Sequence, residues 1–289
     1  MTSSTSASAS ALTRAAQEHL RTRQLGRPME GHARLGSTNE RALAWAAHGA
    51  PEGAVVTAEH QTAGRGRHGR RWRAKPGQNL TFSVVLHPAA PSTDRQALSP
   101  ARFGLLGLAG GLAVCEAVAE TVAPPAPALK WPNDVLVDGN KCCGLLLETA
   151  SAAADHAPGP VVVLGVGLNV NQRAFPGVTS EREPHRAPPT SLARVAGRPV
   201  ERAPLLAKIL RRLEARYQSL FDDAGRSVRA ACEARLTALG ERVTVERPRS
   251  GERLDGVFLG LAPDGAMRLR LPGGAEHVLH AGDVTTIGA

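Results

Sequence analysis

This chain of 289 residues has few aromatic residues and few cysteines, and each shortage excludes a class of protein. Aromatic residues make up 3% of the sequence, which argues against a surface that stacks the bases of single-stranded nucleic acid. The four cysteines, Cys115, Cys142, Cys143 and Cys232, form no Cys-x-x-Cys pair. They are too few and too scattered for a disulfide scaffold, and ligation of a metal by thiolates is not expected.

Signals for membrane insertion and export are also missing from the sequence. No hydrophobic run reads as both long enough and free enough of charge to span a bilayer. The N-terminal residues, MTSSTSASAS, lack the basic-then-apolar order of a secretory signal. We therefore expect a soluble, cytoplasmic protein that does not associate with a membrane.

Acidic residues are outnumbered by basic ones, and the formal net charge is +9. Clustered lysine and arginine neutralise phosphates, so the charge invites a nucleic-acid interpretation. Arginine far outnumbers lysine, however, and alanine is abundant, a composition that is also typical of a high-GC coding bias. The local clustering of charge is therefore more informative than its total.

The strongest cluster is GRGRHGRRW at residues 64–72, a segment punctuated by glycine and without an acidic residue. Glycine lets backbone amides approach a ligand closely and adopt positive φ. The side chains of Arg65, Arg67, Arg70 and Arg71 supply charge-assisted donors suited to phosphate or carboxylate. The pattern predicts a loop that closes over an anion.

The chain up to residue 239 mixes predicted strands and helices. Ser37 and Glu40 fit the S-x-x-E capping box of a helix that runs to about residue 49. Asp138-Gly139 predicts the turn of a hairpin between strands at 129–137 and 141–148. Other strands are predicted at 54–60, 80–87 and 161–171, a mobile loop at 172–189, and helices at 100–122, 202–221 and 225–239.

From residue 240 the pattern changes to short alternating strands with glycine turns, which predicts a small closed or nearly closed barrel. Near the N-terminus, one helical stretch at about residues 12–20 is too short for a helix-turn-helix domain. The sequence therefore predicts a flexible extension at 1–30, a large unit of helices and strands at 31–238, and a small β-barrel domain at 239–289.

Four blocks occur in one order along the chain. They are Ser37-Thr38-Asn39; Gln61 with residues 64–72; Lys130-Trp131-Pro132-Asn133-Asp134 followed by Lys141 and Gly144; and Gly165-Val166-Gly167-Leu168-Asn169. Together these blocks resemble biotin protein ligases, also called biotin–[acetyl-CoA-carboxylase] ligases, of the monofunctional class without a DNA-binding domain. The resemblance covers residues 32–289, and four ordered blocks are far more specific than a single glycine–arginine loop.

The resemblance implies an α+β fold. A mixed-sheet catalytic domain related to class II aminoacyl-tRNA synthetases and lipoate ligases would bind biotin and ATP, and a C-terminal β-barrel similar to Src-homology-3 domains would follow it. The implied enzyme activates biotin with ATP and Mg²⁺ to biotinyl-5′-AMP and pyrophosphate. It then biotinylates a lysine of the biotin carboxyl carrier protein or domain of an acyl-CoA carboxylase. It would be a monomer or homodimer without specific DNA binding.

The resemblance also assigns residues. The implied catalytic side chains are Lys141, Arg67 and Arg65. The implied biotin-binding residues are Ser37, Thr38, Asn39, Gln61, Gly64, Arg65, Gly66, Arg67, Trp72, Lys141, Gly144 and Gly165. The implied nucleotide-binding residues are Arg67, Trp72, Lys130, Asn133, Asp134 and Asn169. No motif predicts a resident metal, so Mg²⁺ would arrive with ATP and lie near Asp134.

Structural explanations compete with several of these assignments. Ser37 also fits a purely structural role as the cap of a helix. A tryptophan such as Trp72 more often packs in a core than contacts a ligand, and Asn133-Asp134 after a proline is typical of a turn. Gly165 and Gly167 in a buried strand indicate either close approach of a ligand or a bulge. Cys142 and Cys143 read as small strand residues, one of which could face the site.

Two other functions remain open at this stage. A lipoate or octanoate ligase would share the fold and the adenylation chemistry, and the KWPND block, the arginine-rich loop and the terminal barrel favour biotin over it. A basic DNA- or RNA-binding module would use the same loop to contact backbone phosphate. The lack of a recognition helix and of stacking aromatic residues argues against that module.

Overall fold

A seven-stranded mixed sheet forms the centre of the structure, a computed structural model that describes residues 10–90, 96–123, 125–150, 159–175, 187–247 and 250–286. The strand order is β1-β2-β3-β7-β6-β5-β4. Strands β1 and β2 are parallel, and all other neighbours are antiparallel. The strands are β1 (Met29–His32), β2 (Val55–Ala58), β3 (Leu80–Leu86), β4 (Ala128–Lys130), β5 (Asp134–Val137), β6 (Asn140–Ala150) and β7 (Val161–Leu168).

Helices cover both faces of this sheet, and the alternation of side chains along the strands explains how. On β3, Phe82 and Val84 join the large core, whereas Val85 points to the opposite face. Helices α1 (Ala11–His19), α3 (Gly104–Ala119), α5 (Arg202–Asp222) and α6 (Arg226–Glu233) belong to the large core. Helix α2 (Thr38–Ala47) packs on the opposite face, and the short α4 (Leu192–Ala196) follows β7.

The face under α2 changes character along the strands. Val161 and Val163 of β7 pack under Ala42 and Ala46 of α2. Two residues further on, the same face carries Gly165 and then a second glycine, because successive side chains of a strand alternate between faces. The apolar layer therefore ends at the N-terminal end of α2, and the candidate site begins there.

Helix α3 corrects the expectation that no stretch could span a membrane. Residues Pro100–Ala119 are long and apolar enough to do so by length and composition. In the folded chain, however, 78% of that stretch is buried, and α3 packs against α5 and α6. An all-round apolar helix of this kind is typical of the centre of a large core.

Residues 10–30 also differ from the expectation of a flexible extension. Helix α1 packs against α5 and buries Leu12 and Ala16. The Glu214 carboxylate of α5 accepts three backbone N–H bonds from residues 23–25, at 2.7 to 3.0 Å. The predicted short helix is thus confirmed, but this segment is part of the core. Residues 1–9 lie outside the described part of the chain.

The predicted hairpin is present, with an interruption. Asp138 and Gly139 adopt φ of 52° and 69°, as a two-residue hairpin turn between β5 and β6 requires. The strand predicted at 129–137 is instead two antiparallel strands, β4 and β5, joined by Trp131-Pro132-Asn133. Proline cannot donate to a sheet, so the chain turns at this block rather than passing straight through it.

A second, antiparallel sheet follows α6, as the sequence predicted. Its strands are β8 (Arg242–Glu246), β9 (Arg253–Leu261), β10 (Met267–Arg270), β11 (Glu276–Leu279) and β12 (Asp283–Thr286), in the order β11-β10-β9-β8-β12. Buried Trp131 donates its indole N–H to the carbonyl of Gly265 at 3.1 Å and so joins the two sheets. The division of the chain at residue 239 stays a prediction, and most of the predicted loop at 172–189 lies outside the described residues.

Candidate active site

A cavity of about 730 Å³ opens between the face of the first sheet at the start of α2, the arginine-rich loop and strand β12. Every residue that the sequence analysis assigned to biotin or nucleotide lines this cavity, except Gly64. A Cβ on Gly64 would lie 2.5 Å from the carbonyl oxygen of Trp72, so this glycine lets the two arms of the loop approach each other. The structure thus brings the assigned residues together, while their individual roles stay predictions.

The arginine-rich loop is a short hairpin. Trp72 donates its backbone N–H to Gly64, and Gly66 donates to Arg70. At the tip, His68 and Gly69 adopt φ of 57° and 72°, a region that favours glycine. Gly66 to Arg70 thus turn the chain tightly, and the loop leans over the cavity with Trp72 on its inner side.

Four positively charged side chains at the cavity each form a hydrogen bond or an ion pair with another side chain of the protein. Arg65 donates to Glu148 at 2.9 Å, and Arg67 donates to the side-chain oxygen of Asn133 at 3.0 Å. The Lys141 ammonium lies 2.6 Å from Asp134 Oδ1. The fourth pair, Arg70 with Asp283 of β12, ties the loop to the second sheet.

Burial lowers the pKa of Arg67, although the charges of Asp283 and Asp134 raise it. A guanidinium nonetheless stays protonated in proteins. The charged form of Arg67 is therefore under-solvated, and an anion that entered the cavity would replace the lost solvation. This makes Arg67 well placed to bind a phosphate or carboxylate.

The floor of the cavity consists of β6, β7 and the first turn of α2. Polar side chains form a hydrogen-bonded row along this floor. Gln61 Oε1 accepts from the backbone N–H of Thr38 at 2.7 Å and lies 3.1 Å from its hydroxyl. The Thr38 and Ser83 hydroxyls are 2.8 Å apart, and Ser83 donates to Asn39 Oδ1 at 2.6 Å. Such a row offers paired donors and acceptors to a polar ligand group.

Ser37 differs in part from its predicted role as a cap. It occupies the N-cap position of α2 with extended backbone angles, and α2 begins at Thr38 as predicted. Its side chain makes no capping hydrogen bond, however, so the S-x-x-E pattern does not form the bonded box. The buried Ser37 hydroxyl lines the cavity instead.

Neighbouring side chains, rather than bulges, account for the glycines of β7. A Cβ on Gly165 would lie 2.1 Å from Asn39 Oδ1, and one on Gly167 would lie 2.4 Å from Trp72 Cε2. On β6, a Cβ on Gly144 would lie 3.3 Å from both Lys141 Nζ and Trp72 Cζ3. These three glycines let the cavity side chains lie directly on the sheet.

Two buried polar atoms at the cavity, Trp72 Nε1 and Asn169 Oδ1, have neither a hydrogen bond nor an ion pair among the described residues, unlike Asp134 Oδ1, which is paired with Lys141. The Asn169 side-chain nitrogen donates to the Thr190 carbonyl at 3.0 Å, and this bond fixes the orientation of the amide. The Oδ1 atom of Asn169 therefore points away from Thr190. An unpaired buried donor and acceptor cost free energy unless a ligand or water meets them. Both atoms are therefore ready to bind a polar ligand.

Cys142 and Cys143 do not face the cavity. Both are fully buried and absent from its lining. Burial raises the pKa of Cys142 to about 12 and that of Cys143 well above its usual value. Both are therefore neutral, structural thiols, as the reading of small strand residues predicted.

Three residues that bond to side chains lining the cavity were not predicted from the sequence: Ser83, Glu148 and Asp283. Ser83 and Glu148 sit in strands where alternation alone indicates which face they occupy, but not which residues oppose them. Asp283 reaches the site from the far end of the chain. Its one signal was that it is the acidic residue of the short terminal strand.

No group of three or more His, Cys, Asp or Glu residues that could hold a metal occurs among the described residues. Asp134 and Asp283 both line the cavity. Magnesium commonly binds through one or two carboxylates together with substrate phosphates. The cavity thus holds two carboxylates of the kind that such a site uses, while the binding of Mg²⁺ stays a prediction.

Comparison with known proteins agrees with this geometry. Residues 32–169 match the biotin/lipoate A/B protein ligase family, and residues 238–285 match the biotin protein ligase C-terminal domain. The chain is 40% identical to the biotin–[acetyl-CoA-carboxylase] ligase of Mycobacterium tuberculosis, covering 89% of this chain and 88% of that one. It is 36% identical to the ligase of the same name from Paracoccus denitrificans, covering 87% and 98%.

The fold matches a solved structure as well. The biotin protein ligase from Aquifex aeolicus in complex with biotin and ATP superimposes with a TM-score of 0.70 at 27% identity, covering 90% of this chain and 99% of that one. A two-part ligase fold with a cationic cavity under an arginine-rich loop defines the class. The chain belongs to the biotin protein ligase family.

Proposed function

We propose that this chain is a biotin–[acetyl-CoA-carboxylase] ligase that activates biotin with MgATP and then transfers it to a carrier lysine. The observation that carries the proposal is the convergence of two loop arginines, Arg65 and Arg67, with Lys141 of β6 on one cavity with a polar floor. The names of the two curated relatives and the biotin and ATP bound to the Aquifex aeolicus enzyme support the same substrates.

In the first step, a carboxylate oxygen of biotin attacks the α-phosphorus of ATP. The bond from that phosphorus to the bridging oxygen of the β-phosphate breaks, which gives biotinyl-5′-AMP and pyrophosphate. Both reactants are anions, so repulsion and the charge that builds up on the α-phosphate dominate the barrier. Fixed cations in a site with little water lower such a barrier most effectively.

We assign that task to Lys141, Arg67 and Arg65. The Lys141 ammonium is a compact point charge that can lie between the biotin carboxylate and the phosphate. In the free enzyme, Asp134 holds it at 2.6 Å, which fixes its position before the substrates arrive. Arg67 and Arg65, on the loop above, would contact the anionic part of the adenylate.

The polar floor and the glycines provide a biotin pocket. Ser37, Thr38 and Gln61 supply hydroxyl, backbone and amide groups that suit the paired donors and acceptors of a ureido ring. Gly144 and Gly165 let the side chains of Lys141, Trp72 and Asn39 lie directly on the sheet around the ligand. Gly66 lines the pocket from the loop, and the Trp72 ring forms an apolar wall. Asn39 and Gly64 shape the pocket from behind.

The nucleotide would occupy the other end of the cavity. There, Lys130, Asn133, Asp134 and Asn169 line the wall together with Arg67 and Trp72. The unpartnered Asn169 Oδ1 and Trp72 Nε1 support binding of a polar ring or sugar at this end. Mg²⁺ bound to the phosphates near Asp134 would neutralise negative charge on the triphosphate.

In the second step, a neutral lysine amine of the carrier attacks the acyl carbon, AMP leaves, and the amine loses a proton. The adenylate is a reactive mixed anhydride that water would destroy in an open site. A glycine-rich loop that orders over the ligand protects it. The acceptor we propose is a biotin carboxyl carrier protein or domain of an acyl-CoA carboxylase.

A lipoate or octanoate ligase is the second candidate, because the family that matches residues 32–169 includes lipoate enzymes. The match of residues 238–285 to the biotin protein ligase C-terminal domain favours biotin. We further propose that the enzyme acts in the cytoplasm, as a monomer or homodimer, without binding specific DNA. Sedimentation with and without biotin would establish the oligomeric state.

Pyrophosphate exchange tests the central proposal. The wild-type protein should exchange labelled pyrophosphate into ATP only when biotin and Mg²⁺ are present, and not with lipoate or octanoate. Lys141→Ala should lower the exchange rate by at least about 100-fold, because it removes a charge that acts on the transition state. Absence of biotin-dependent exchange by the wild type would refute the assigned reaction, and exchange with lipoate would favour the second candidate.

A further inference from the structure

The carboxylate of Glu148 joins two parts of the cavity. It lies on β6, on the sheet face under α2, with 26% of its side chain exposed. Its Oε2 atom accepts from Arg65 Nη2 at 2.9 Å and from Asn39 Nδ2 at 2.8 Å. Arg65 belongs to the loop above the cavity and Asn39 to the first turn of α2, so one oxygen connects the loop to the floor.

On the floor, Glu148 completes the bonding of Asn39. The Asn39 amide has two N–H donors. One is used by Glu148, and the other reaches the Leu146 carbonyl at 3.3 Å. With its oxygen accepting from Ser83, Asn39 has no hydrogen left for a ligand. It therefore acts by holding the Ser83 hydroxyl, and through it the Thr38 hydroxyl 2.8 Å away.

In the loop, Glu148 fixes the direction of Arg65. The Arg65 side chain is 42% exposed, and a free arginine of this kind would sample many rotamers. A guanidinium carries five donors in a planar fork, and the bond to Glu148 engages one of its nitrogens. The remaining donors can then meet an anion without loss of the ion pair.

We propose that Glu148 is a positioning residue for biotin, which holds Arg65 toward the carboxylate end of the ligand and Asn39 beneath the ureido end. The inference rests on the proposed function, since it takes biotin as the ligand. It predicts that the two ends of biotin respond differently to different substitutions of Glu148. A merely stabilising ion pair would affect both ends alike or neither.

Binding of biotin and of biotinamide separates the two tasks, because biotinamide keeps the ureido ring and lacks the carboxylate. Glu148→Gln keeps an oxygen for Asn39 but removes the charge that holds Arg65. It should weaken biotin by about tenfold, the usual range for a charged hydrogen bond, and change biotinamide less than about twofold. Glu148→Ala removes both contacts and should weaken both ligands, as calorimetry would measure.

Two further measurements sharpen the assignment. In an Arg65→Ala background, Glu148→Gln should cause no additional loss of biotin affinity, because its partner is already gone. Glu116→Gln is the matched control, since Glu116 pairs with Arg216 between α3 and α5, away from the cavity. It should leave the affinities for both ligands unchanged. Thermal unfolding of each variant verifies that it is folded.

The inference is overturned if Glu148→Gln leaves the biotin affinity of the folded protein unchanged, or weakens biotin and biotinamide by the same factor. In either case biotin-dependent pyrophosphate exchange by the wild type would still support the proposed reaction. Failure of the wild type to bind biotin or to catalyse that exchange would overturn both proposals.

Discussion

The arginine-rich loop and the strand floor beneath it build the same cavity by different means. The floor consists of β6, β7 and the first turn of α2, and its residues are positioned by strand register and buried packing. The loop is largely exposed, and it is positioned by contacts of charged side chains with Glu148, Asn133 and Asp283. Packing thus determines one wall of the cavity and electrostatics the other.

Because the two walls of the cavity are held in place differently, we expect them to respond differently to amino-acid substitution. A close-packed surface cannot absorb an added carbon without moving its neighbours. Exposed ion pairs contribute little to the free energy of unfolding, so a loop that they hold can open and close at small cost. We therefore expect substitutions in the floor to affect stability, and substitutions in the loop to affect the handling of the ligand.

The largest expected difference comes from the same glycine-to-alanine change made in both walls. Gly165→Ala places a Cβ 2.1 Å from Asn39 Oδ1, whose hydrogen bonds fix it in place. We expect a loss of about 1–3 kcal/mol in the free energy of unfolding, which is typical of overpacking. Chemical denaturation of the purified variant would measure it.

Gly66→Ala is the matched change in the loop. Its Cβ would lie 3.6 Å from the nearest atom, an ordinary contact, and the backbone at Gly66 has no positive φ. The free energy of unfolding should change by less than about 0.5 kcal/mol. Equal destabilisation by the two substitutions would remove the distinction between a packed floor and an electrostatically held loop.

The next effect should appear in retention of the intermediate. Arg67→Gly removes a guanidinium that burial has already under-solvated, so the protein should not lose stability. Biotinyl-5′-AMP should escape about tenfold faster, while its formation slows less, because the loop that covers the adenylate has lost its anion contact. Single-turnover adenylation and release of the intermediate into solution would measure the two rates.

Arg71→Gly provides the control for this prediction. Arg71 lies in the same loop, and its side chain is exposed at the rim of the cavity. Release of the adenylate should remain within about threefold of the wild-type rate, since an exposed charge is well solvated. If Arg67→Gly slowed adenylation as much as it hastened release, the loop would serve the chemical step and not the retention of its product.

Much of the floor could be predicted from the sequence, because its signals are local. The Asp138-Gly139 turn fixes the β5–β6 hairpin and places Lys141 just beyond it, where the structure has it. Period-2 alternation assigns Gly165 and Gly167 to one face of β7. The order of the four blocks then predicted that these residues share a site, and residues of all four blocks line one cavity.

The sequence could not predict which side chains contact each other across the sheet or between distant segments of the chain. A glutamate such as Glu148 near the end of a strand reads as solvent-exposed, and the register that brings it under Asn39 depends on the complete sheet. Asp283 meets Arg70 only because the second sheet packs beside the loop. The same limit explains residues 10–30, whose polar composition hid the apolar face of α1.

The smallest expected effect concerns two buried cysteines of β6, a strand of the cavity floor. Cys142 and Cys143 directly follow Lys141, yet both are fully buried, and the pKa of each lies above the ordinary value of 9.0 because burial disfavours the thiolate. Iodoacetamide reacts with the thiolate, so at pH 8 the native protein should gain no label at these positions and keep its exchange activity.

In denaturant, all four cysteines should react, as intact mass would show. The unfolded chain releases the Cys142 thiol proton above about pH 9, whereas the folded chain holds it until about pH 12, the pKa to which burial raises this thiol. Stability should therefore fall as the pH rises through that window. Rapid native labelling of Cys142 or Cys143 that biotin prevents would mean that a thiol reaches the cavity, and that the floor opens as readily as the loop.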